Sequence, residues 1–118
     1  TALIGMVPNI QANPEVMLQA TLRGFTTATD LADYLVRKSV PFRDAHDMVG
    51  QAVQLALEKD KALEELSLAE LNGNETGVIE QDIYEFLTLQ GSVASRDHVG
   101  GTAPQQVRAA IARARAQI

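Results

Sequence analysis

The segment Ala28–Phe42, ATDLADYLVRKSVPF, gives the first indication of the architecture. Its apolar residues recur at the i, i+3, i+4 spacing of a helix, and they are Leu31, Tyr34 and Leu35. Thr29 carries a hydroxyl that can accept from the free amides of a first helical turn, and Asp30 suits the positive end of the helix dipole. Ser39 and Pro41 interrupt the pattern. We therefore predict a helix that Thr29 caps and that ends at Ser39.

A longer helix is predicted from Pro41 to about Lys59, because proline is favoured in the first turn of a helix. Its apolar face is narrow and rich in alanine, and consists of Phe42, Ala45, Val49, Ala52, Val53 and Ala56. Small residues let a neighbouring helix approach closely, so we expect tight packing against the preceding helix. Arg43 and Asp47 are spaced to form an ion pair on the exposed side.

Cap residues indicate two further helices. Asn13 offers a side-chain acceptor, Pro14 has a preset φ, and Glu15 carries a carboxylate suited to the helix dipole. Together they predict a helix to Leu22. Ser67–Glu70 has the pattern of a capping box, in which serine and glutamate each satisfy a free amide. It predicts a short helix that ends near residue 71.

The remainder of the chain has a turn, two helical patterns and one segment without a pattern. Asn72–Asn74 predicts the turn. The helical residues that follow it are Ile79, Ile83, Phe86 and Leu87. Gly91–Gly101 has no helical period and is predicted to be a loop. Thr102–Gln105 has the pattern of a second capping box, before the apolar stripe Val107, Ala110, Ile111, Ala114 and Ile118.

The composition agrees with a helical domain. A chain of 118 residues is long enough for one compact core, and its 46% hydrophobic content with 21% charged residues is typical of a folded protein. Only 4% of the residues are aromatic, so the core must consist of aliphatic side chains, which suits packed helices. We predict an all-α fold, a small bundle of about five to six helices.

Charge and cysteine content exclude several partners. A net charge of −5 and a pI near 4.9 disfavour binding to nucleic acid or to an anionic membrane surface. The one basic face belongs to the last helix, where Arg108, Arg113 and Arg115 are predicted to be solvated or to complement the acidic body. The chain has no cysteine, which fits a cytoplasmic protein, and no apolar stretch of membrane-spanning length.

A search for chemistry finds weak candidates only. Gly91–Ser95 superficially resembles a nucleophilic serine turn, but it lacks the second glycine and the strand-to-helix context. Asp44, His46 and Asp47 are clustered, yet side chains at these spacings cannot surround one metal ion from a single helix. We therefore predict no catalytic residue and no metal site in this chain.

Two further groups have a structural and a functional interpretation. His98 is expected to cap its own backbone rather than bind a ligand, and Gly100–Gly101 alone is a weak signal for phosphate binding. A second group of charged residues is expected to tie the second and third helices together or to meet a neighbouring domain, and it consists of Asp30, Asp33, Arg43 and His46.

Two blocks of sequence resemble the C-terminal region of argininosuccinate lyase. The first comprises Ala28–Lys38 and Val40–His46, and resembles the segment that opens that family's C-terminal domain. The second comprises Ser92–Arg96 and Gly100–Pro104, followed by Val107, and is similar to the end of the family's chain. The two blocks have the expected order and separation. Ser39 stands where the family leads us to expect glycine.

The resemblance implies a homotetrameric, cofactor-free lyase of the fumarase and aspartase superfamily. Such an enzyme splits argininosuccinate into arginine and fumarate by β-elimination, in arginine biosynthesis. The family's catalytic serine loop and histidine segment have no counterpart here, so the resemblance carries no catalytic, cofactor-binding or metal-binding residue onto this chain. The isolated chain is therefore expected to be inactive.

The resemblance also suggests a division of the chain. Residues 1–24 are expected to be a connector or the tail of a central helical domain, and residues 25–118 the C-terminal helical domain. Thr1–Val7 begins in the middle of an apolar pattern, as if a helix had been cut. The expected partners are the rest of the lyase chain and its homotetramer, and exposed apolar surface favours self-association. The alternative is an autonomous helical interaction or regulatory module without catalysis.

Overall fold

A computed structural model describes residues 2–73 and 77–117, and the described residues that have regular structure are helical. The α-helices are α1 (Ala2–Met6), α2 (Pro14–Arg23), α3 (Ala28–Arg37), α4 (Phe42–Glu58), α5 (Leu68–Asn72), α6 (Ile83–Phe86), α7 (Leu89–Ser95) and α8 (Pro104–Arg115). Short 3-10 turns occur at Val7–Asn9 and Leu63–Glu65. The all-α prediction is confirmed. Three predictions include residues outside the described ones. These are Thr1 in the cut helix, Asn74 in the turn and Ile118 in the stripe of the last helix.

The core lies between α3 and α4 and is closed by the segments that follow them. Leu31 and Leu35 are fully buried on α3. The facing surface of α4 is the predicted alanine-rich stripe, whose buried members are Ala45, Val49, Ala52 and Ala56. The other side of the core is formed by Leu63, Leu66, Leu71, Ile79, Ile83 and Leu87. Small side chains on α4 thus allow the close helix packing that the sequence predicted.

One position on the predicted stripe of α4 differs from the prediction. Phe42 is the first residue of the helix and is 71% exposed. Val53 is half-buried and packs against the core, as the stripe predicts. The predicted ion pair between Arg43 and Asp47 is absent from the described residues.

The predicted start of α3 is wrong by two residues. The helix begins at Ala28, and Thr29 lies inside its first turn. Thr27 occupies the cap position with helical dihedral angles and no side-chain hydrogen bond to the helix. The helix is entered from a turn at Phe25, where φ is +46°, so no extended residue is available to act as a side-chain cap.

Helices α3 and α4 end in the same hydrogen-bonded motif. After α3, the Ser39 amide donates to the Val36 carbonyl and the Val40 amide to the Leu35 carbonyl. This is the Schellman arrangement, and it places Ser39 at a φ of +68°. Asp60 has a φ of +53° in the equivalent position after α4. Neither residue is glycine, so both left-handed positions carry a side chain that disfavours them.

The prediction of a loop over Gly91–Gly101 is wrong in part, because the first five residues of this segment belong to α7. The Thr88 hydroxyl accepts from the Gly91 amide and caps this helix. At the start of α8 the predicted capping box does not form. Pro104 is the first helical residue, which makes Ala103 the cap residue, and Ala103 has no side-chain acceptor.

The two ends of the chain take little part in the core. Residues 2–22 are all exposed, and α8 has no buried residue. The predicted stripe on α8 is therefore only partly covered, with Val107 43% and Ile111 46% exposed. Over the described residues, no helix combines the length and the apolar character needed to cross a membrane.

Candidate functional site

An open groove lies between α4 and α5 and has a volume of about 630 Å³. Its floor is apolar and half-buried, and consists of Val40, Met48, Leu55 and Val78. Asp44 and Asp47 form its rim along one side of α4, with Gln51 one turn further on. Neither carboxylate belongs to an ion pair among the described residues. The groove therefore combines an apolar floor with an unneutralised acidic edge.

Glu70 lies on the opposite wall of the groove, where its charge is already compensated. The Lys59 ammonium pairs with its carboxylate, and Ser67 donates to it from its hydroxyl at 2.7 Å and from its amide at 2.6 Å. The Lys59 and Ser67 contacts lower the pKa of Glu70 from 4.5 to about 2. The predicted capping box at Ser67–Glu70 is thus confirmed. The Lys59 ion pair attaches this wall of the groove to the end of α4.

Asp44, His46 and Asp47, which are close in sequence on α4, do not lie together in the structure. Asp44 and Asp47 line the groove, whereas the His46 ring stacks on Phe42 with a centroid distance of 6.2 Å. Over residues 2–73 and 77–117, no three side chains of the types that bind metals are grouped to hold an ion. The cluster remains a set of separate surface residues.

Ser92, the serine of the nucleophile-like pattern, lies inside α7. Its hydroxyl is 3.0 Å from the Arg96 guanidinium, and no histidine hydrogen-bonds to it among the described residues. Gly91 is required for another reason. A Cβ atom at this position would lie 1.7 Å from the Glu85 carbonyl oxygen, so glycine permits the close approach of α6 and α7.

The residues from Asp97 to Ala103 form the turn before α8. The His98 carbonyl accepts from the Gly101 amide at 2.8 Å, whereas the His98 side chain is exposed and does not cap the backbone in the described part of the chain. Gly100 has a φ of +87°, and a Cβ on Gly101 would lie 2.0 Å from the Arg96 carbonyl oxygen. The glycine pair therefore shapes this turn.

Asp30 is buried, and of its two predicted roles, joining α3 to α4 or meeting a neighbouring domain, the structure contradicts the first. Its Oδ1 accepts from the Arg96 guanidinium at 2.7 Å, so it links the start of α3 to the end of α7. Asp33, Arg43 and His46 are exposed, and none of them joins an ion pair among the described residues. The expected connection between the second and third predicted helices is made by apolar contacts instead.

A second polar connection was missed by the sequence analysis. The Tyr34 hydroxyl donates to Asp82 at 2.6 Å and accepts from the Glu80 amide at 3.2 Å. Burial and the Asp82 hydrogen bond raise the pKa of Tyr34. Lys38 pairs with Glu80 at 2.5 Å, on the same edge. Partners more than 40 residues apart leave no local pattern in the sequence that could reveal them.

The described residues thus provide this groove and several structural polar contacts. The titratable side chains that line the groove in the described part of the chain are the carboxylates of Asp44, Asp47 and Glu70. Such a surface can hold a cationic or amphipathic group.

Comparison with known proteins supplies the family. The family model described as "Argininosuccinate lyase C-terminal" matches residues 25–94. Argininosuccinate lyase from Nitrosomonas eutropha is 58% identical over 118 residues, which is 100% of this chain and 25% of that protein. The enzymes named argininosuccinate lyase from Nitrosococcus oceani and Azotobacter vinelandii are 56% and 57% identical, over 99% and 98% of this chain and 25% of each protein.

These relatives are about four times as long as the part that is matched. The chain spans about a quarter of the length of the curated relatives, and the matching quarter is their C-terminal one. The family model alone covers more than half of the chain and begins just before α3. The resemblance read from the two sequence blocks is confirmed, and the chain belongs to the argininosuccinate lyase family, of which it represents the C-terminal region.

Proposed function

We propose that this chain is the C-terminal part of an argininosuccinate lyase, a protein that cleaves argininosuccinate to arginine and fumarate in arginine biosynthesis. The observation that carries the proposal is the 58% identity to a protein of that name over all 118 residues. The matched length includes both the core helices and the exposed ends. It supports a shared role for the whole segment.

Within that protein the chain acts as a helical body that supports the catalytic parts. The elimination needs a base that takes a proton next to a carboxylate and an acid that protonates the departing nitrogen. The candidates in this chain are dispersed: Ser92 contacts Arg96, while His46 and His98 are on separate exposed surfaces. The catalytic groups are then supplied by the remaining three quarters of the protein, and the chain alone is inactive and holds no cofactor or metal.

The chain also has a defined place in the proposed assembly. Residues 1–24 connect residues 25–118 to the preceding helical domain, which covers the apolar side chains that α1 and α2 leave exposed. The complete enzyme is a cytoplasmic homotetramer. Exposed residues of this connector include Ile4, Ile10 and Val16, at 77%, 64% and 62% exposure.

A chimera tests the proposal directly. The C-terminal quarter of the Nitrosomonas eutropha enzyme is replaced by this chain, and fumarate release is followed by its ultraviolet absorbance. We expect activity within about tenfold of the parent enzyme, since most substitutions at this identity are compatible with one fold. The control is the same enzyme truncated before the replaced quarter, which should be inactive.

Two results would contradict the proposal. A chimera that assembles as the parent does but releases no fumarate would show that the chain cannot serve as this part of a lyase. Fumarate release by the isolated 118 residues would show that the chain contains a complete site of its own. An autonomous interaction module, the alternative function, predicts the first of these results.

A further inference from the structure

The groove between α4 and α5 has a shape and charge that fit one element of the chain itself. Its acidic rim on α4 consists of Asp44 and Asp47, which are about one helical turn or 4.5 Å apart along the helix axis. The whole groove follows α4 from Pro41 to Leu55, a length of about 20 Å. Its half-buried apolar floor leaves carbon surface open to solvent, which favours an apolar occupant with cationic flanks.

Helix α8 has the complementary character. Its 12 residues extend over about 18 Å, and its only charged residues are Arg108, Arg113 and Arg115. At 100° per residue, Val107 and Ile111 share one face, and Arg108 and Arg115 lie together beside it, two turns apart. This face therefore presents an apolar stripe bordered by two positive charges about 10 Å apart.

The same face points away from the chain to which α8 belongs. The half-buried residues of α8 are Gln106 and Ala109, on the opposite side of the helix from Val107 and Ile111. On the side of Gln106 and Ala109 the helix is attached to the preceding turn, because the Gln106 side-chain amide donates to the Asp97 carboxylate at 2.9 Å. Among the described residues, no arginine of α8 forms an ion pair with the body. The basic face is thus turned to solvent and not to its own core.

We propose that α8 of one copy of this chain docks into the α4–α5 groove of a second copy. Val107 and Ile111 then cover the apolar floor, and the long side chains of Arg108 and Arg115 reach inward from either side to pair with Asp44 and Asp47, which are closer together than the two arginines are. If each copy gives its helix to the other, the contact closes as a twofold pair and uses the same two surfaces twice. This contact does not depend on the lyase activity proposed above.

Charge reversal on each surface tests the contact. The groove variant is Asp44→Lys with Asp47→Lys, and the helix variant is Arg108→Glu with Arg115→Glu. Sedimentation equilibrium of the 118-residue chain should show that each variant dimerises at least about tenfold more weakly than the wild type, because like charges then face each other. Far-UV circular dichroism and thermal melting establish that each variant remains folded.

Mixing the two variants provides the decisive measurement. The reversed groove now faces the reversed helix, and the remaining wild-type pair of surfaces is also intact, so the mixed pair should dimerise within about threefold of the wild type. A matched control for the groove variant is Asp33→Lys with Glu85→Lys. It changes the net charge by the same amount as the groove variant does, but at exposed positions outside the groove. This control should dimerise as the wild type does.

Several outcomes would overturn the proposal. A wild-type chain that stays monomeric up to about 1 mM has no such contact. Failure of the two variants to recover on mixing, or an equal loss in the control, would show that net charge and not this docking governs association. Dimerisation that survives both reversals but is lost in Leu3→Ser with Ile10→Ser would assign the interface to the exposed apolar residues of the N-terminal segment.

Discussion

The carboxylate of Asp30 and the guanidinium of Arg96 are 2.7 Å apart and join two parts of the chain that are separated by 66 residues. The Asp30 side chain is 3% exposed and that of Arg96 is 33% exposed. Arg96 also donates to the carbonyl and the hydroxyl of Ser92. A single guanidinium therefore joins the end of α7 to the start of α3.

Loss of this guanidinium should destabilise the fold more than its partial exposure suggests. In Arg96→Ala the Asp30 carboxylate stays buried without its partner, and its Oδ2 already has no hydrogen-bond partner among the described residues. We expect the free energy of unfolding to fall by about 2 kcal/mol. Urea denaturation followed by circular dichroism measures the change.

The double variant Asp30→Asn, Arg96→Ala distinguishes the loss of the Asp30–Arg96 interaction from the free-energy cost of burying an unpaired carboxylate. Asparagine is neutral, so the double variant should be more stable than Arg96→Ala alone. A double variant that is less stable than either single variant would contradict the assignment of the buried charge as the cause.

Glycine at position 39 should stabilise the chain. Ser39 has a φ of +68°, which costs a residue with a Cβ atom but not glycine, so Ser39→Gly should raise the free energy of unfolding by about 1 kcal/mol. Asp60→Gly should give a smaller gain, because aspartate tolerates this conformation better than serine does. Thermal melting ranks the two variants, and Ser39→Ala serves as the control that keeps the Cβ atom and should give no gain.

Two helical glycines should respond in opposite directions to alanine. A Cβ on Gly91 would collide with the backbone of Glu85, so Gly91→Ala must separate α6 from α7 and should cost at least about 2 kcal/mol. Nothing lies within 4 Å of a Cβ on Gly50, so Gly50→Ala should gain about 0.5–1 kcal/mol from helix propensity. Equal effects in urea denaturation would refute the steric explanation.

Acid should weaken the attachment of α5. The pKa of Glu70 is lowered from 4.5 to about 2, so this carboxylate stabilises the folded state above about pH 4.5 and the contribution is lost as the pH falls towards 2. Glu70→Gln should therefore be less stable than the wild type at neutral pH, and the two melting temperatures should converge near pH 2.

A neighbouring substitution controls for general acid effects. Glu64 is exposed and its side chain has no hydrogen bond in the described part of the chain, so Glu64→Gln should melt in parallel with the wild type over the same pH range. If the melting temperature of Glu64→Gln also lay below that of the wild type at neutral pH and converged with it near pH 2, then total charge, and not the Lys59 and Ser67 contacts, would control the acid response.

Local patterns predicted those elements whose signals are local. The alanine face of α4 and the capping box at Ser67 act within one helix or one turn, and both are present in the structure. The helix α8 begins one residue later than the Thr102–Gln105 pattern predicts, because Pro104 is the first helical residue and not the second. Helix α7 was missed because its glycine and serines are weak helix formers, and it depends on the Thr88 cap and on close contact with α6.

The polar connections and the groove could not be predicted in the same way. The sequence predicts that Asp30 serves the α3–α4 contact or meets a neighbouring domain, but its partner within the chain lies 66 residues further along. The groove depends on how α5 lies against α4 and on the half-buried state of Met48 and Leu55. Spacing along one helix indicates which residues share a face, but it contains no information about the surface that the face meets.

The exposure of residues 2–22 and the lack of buried side chains on α8 have a consequence for how the chain comes apart. Amide hydrogens in these end segments should exchange through small local openings, while those of α3 and α4 should exchange only when the entire core opens. A protease would then trim both ends and leave a resistant product that begins near Phe25 and still contains the buried Ala103.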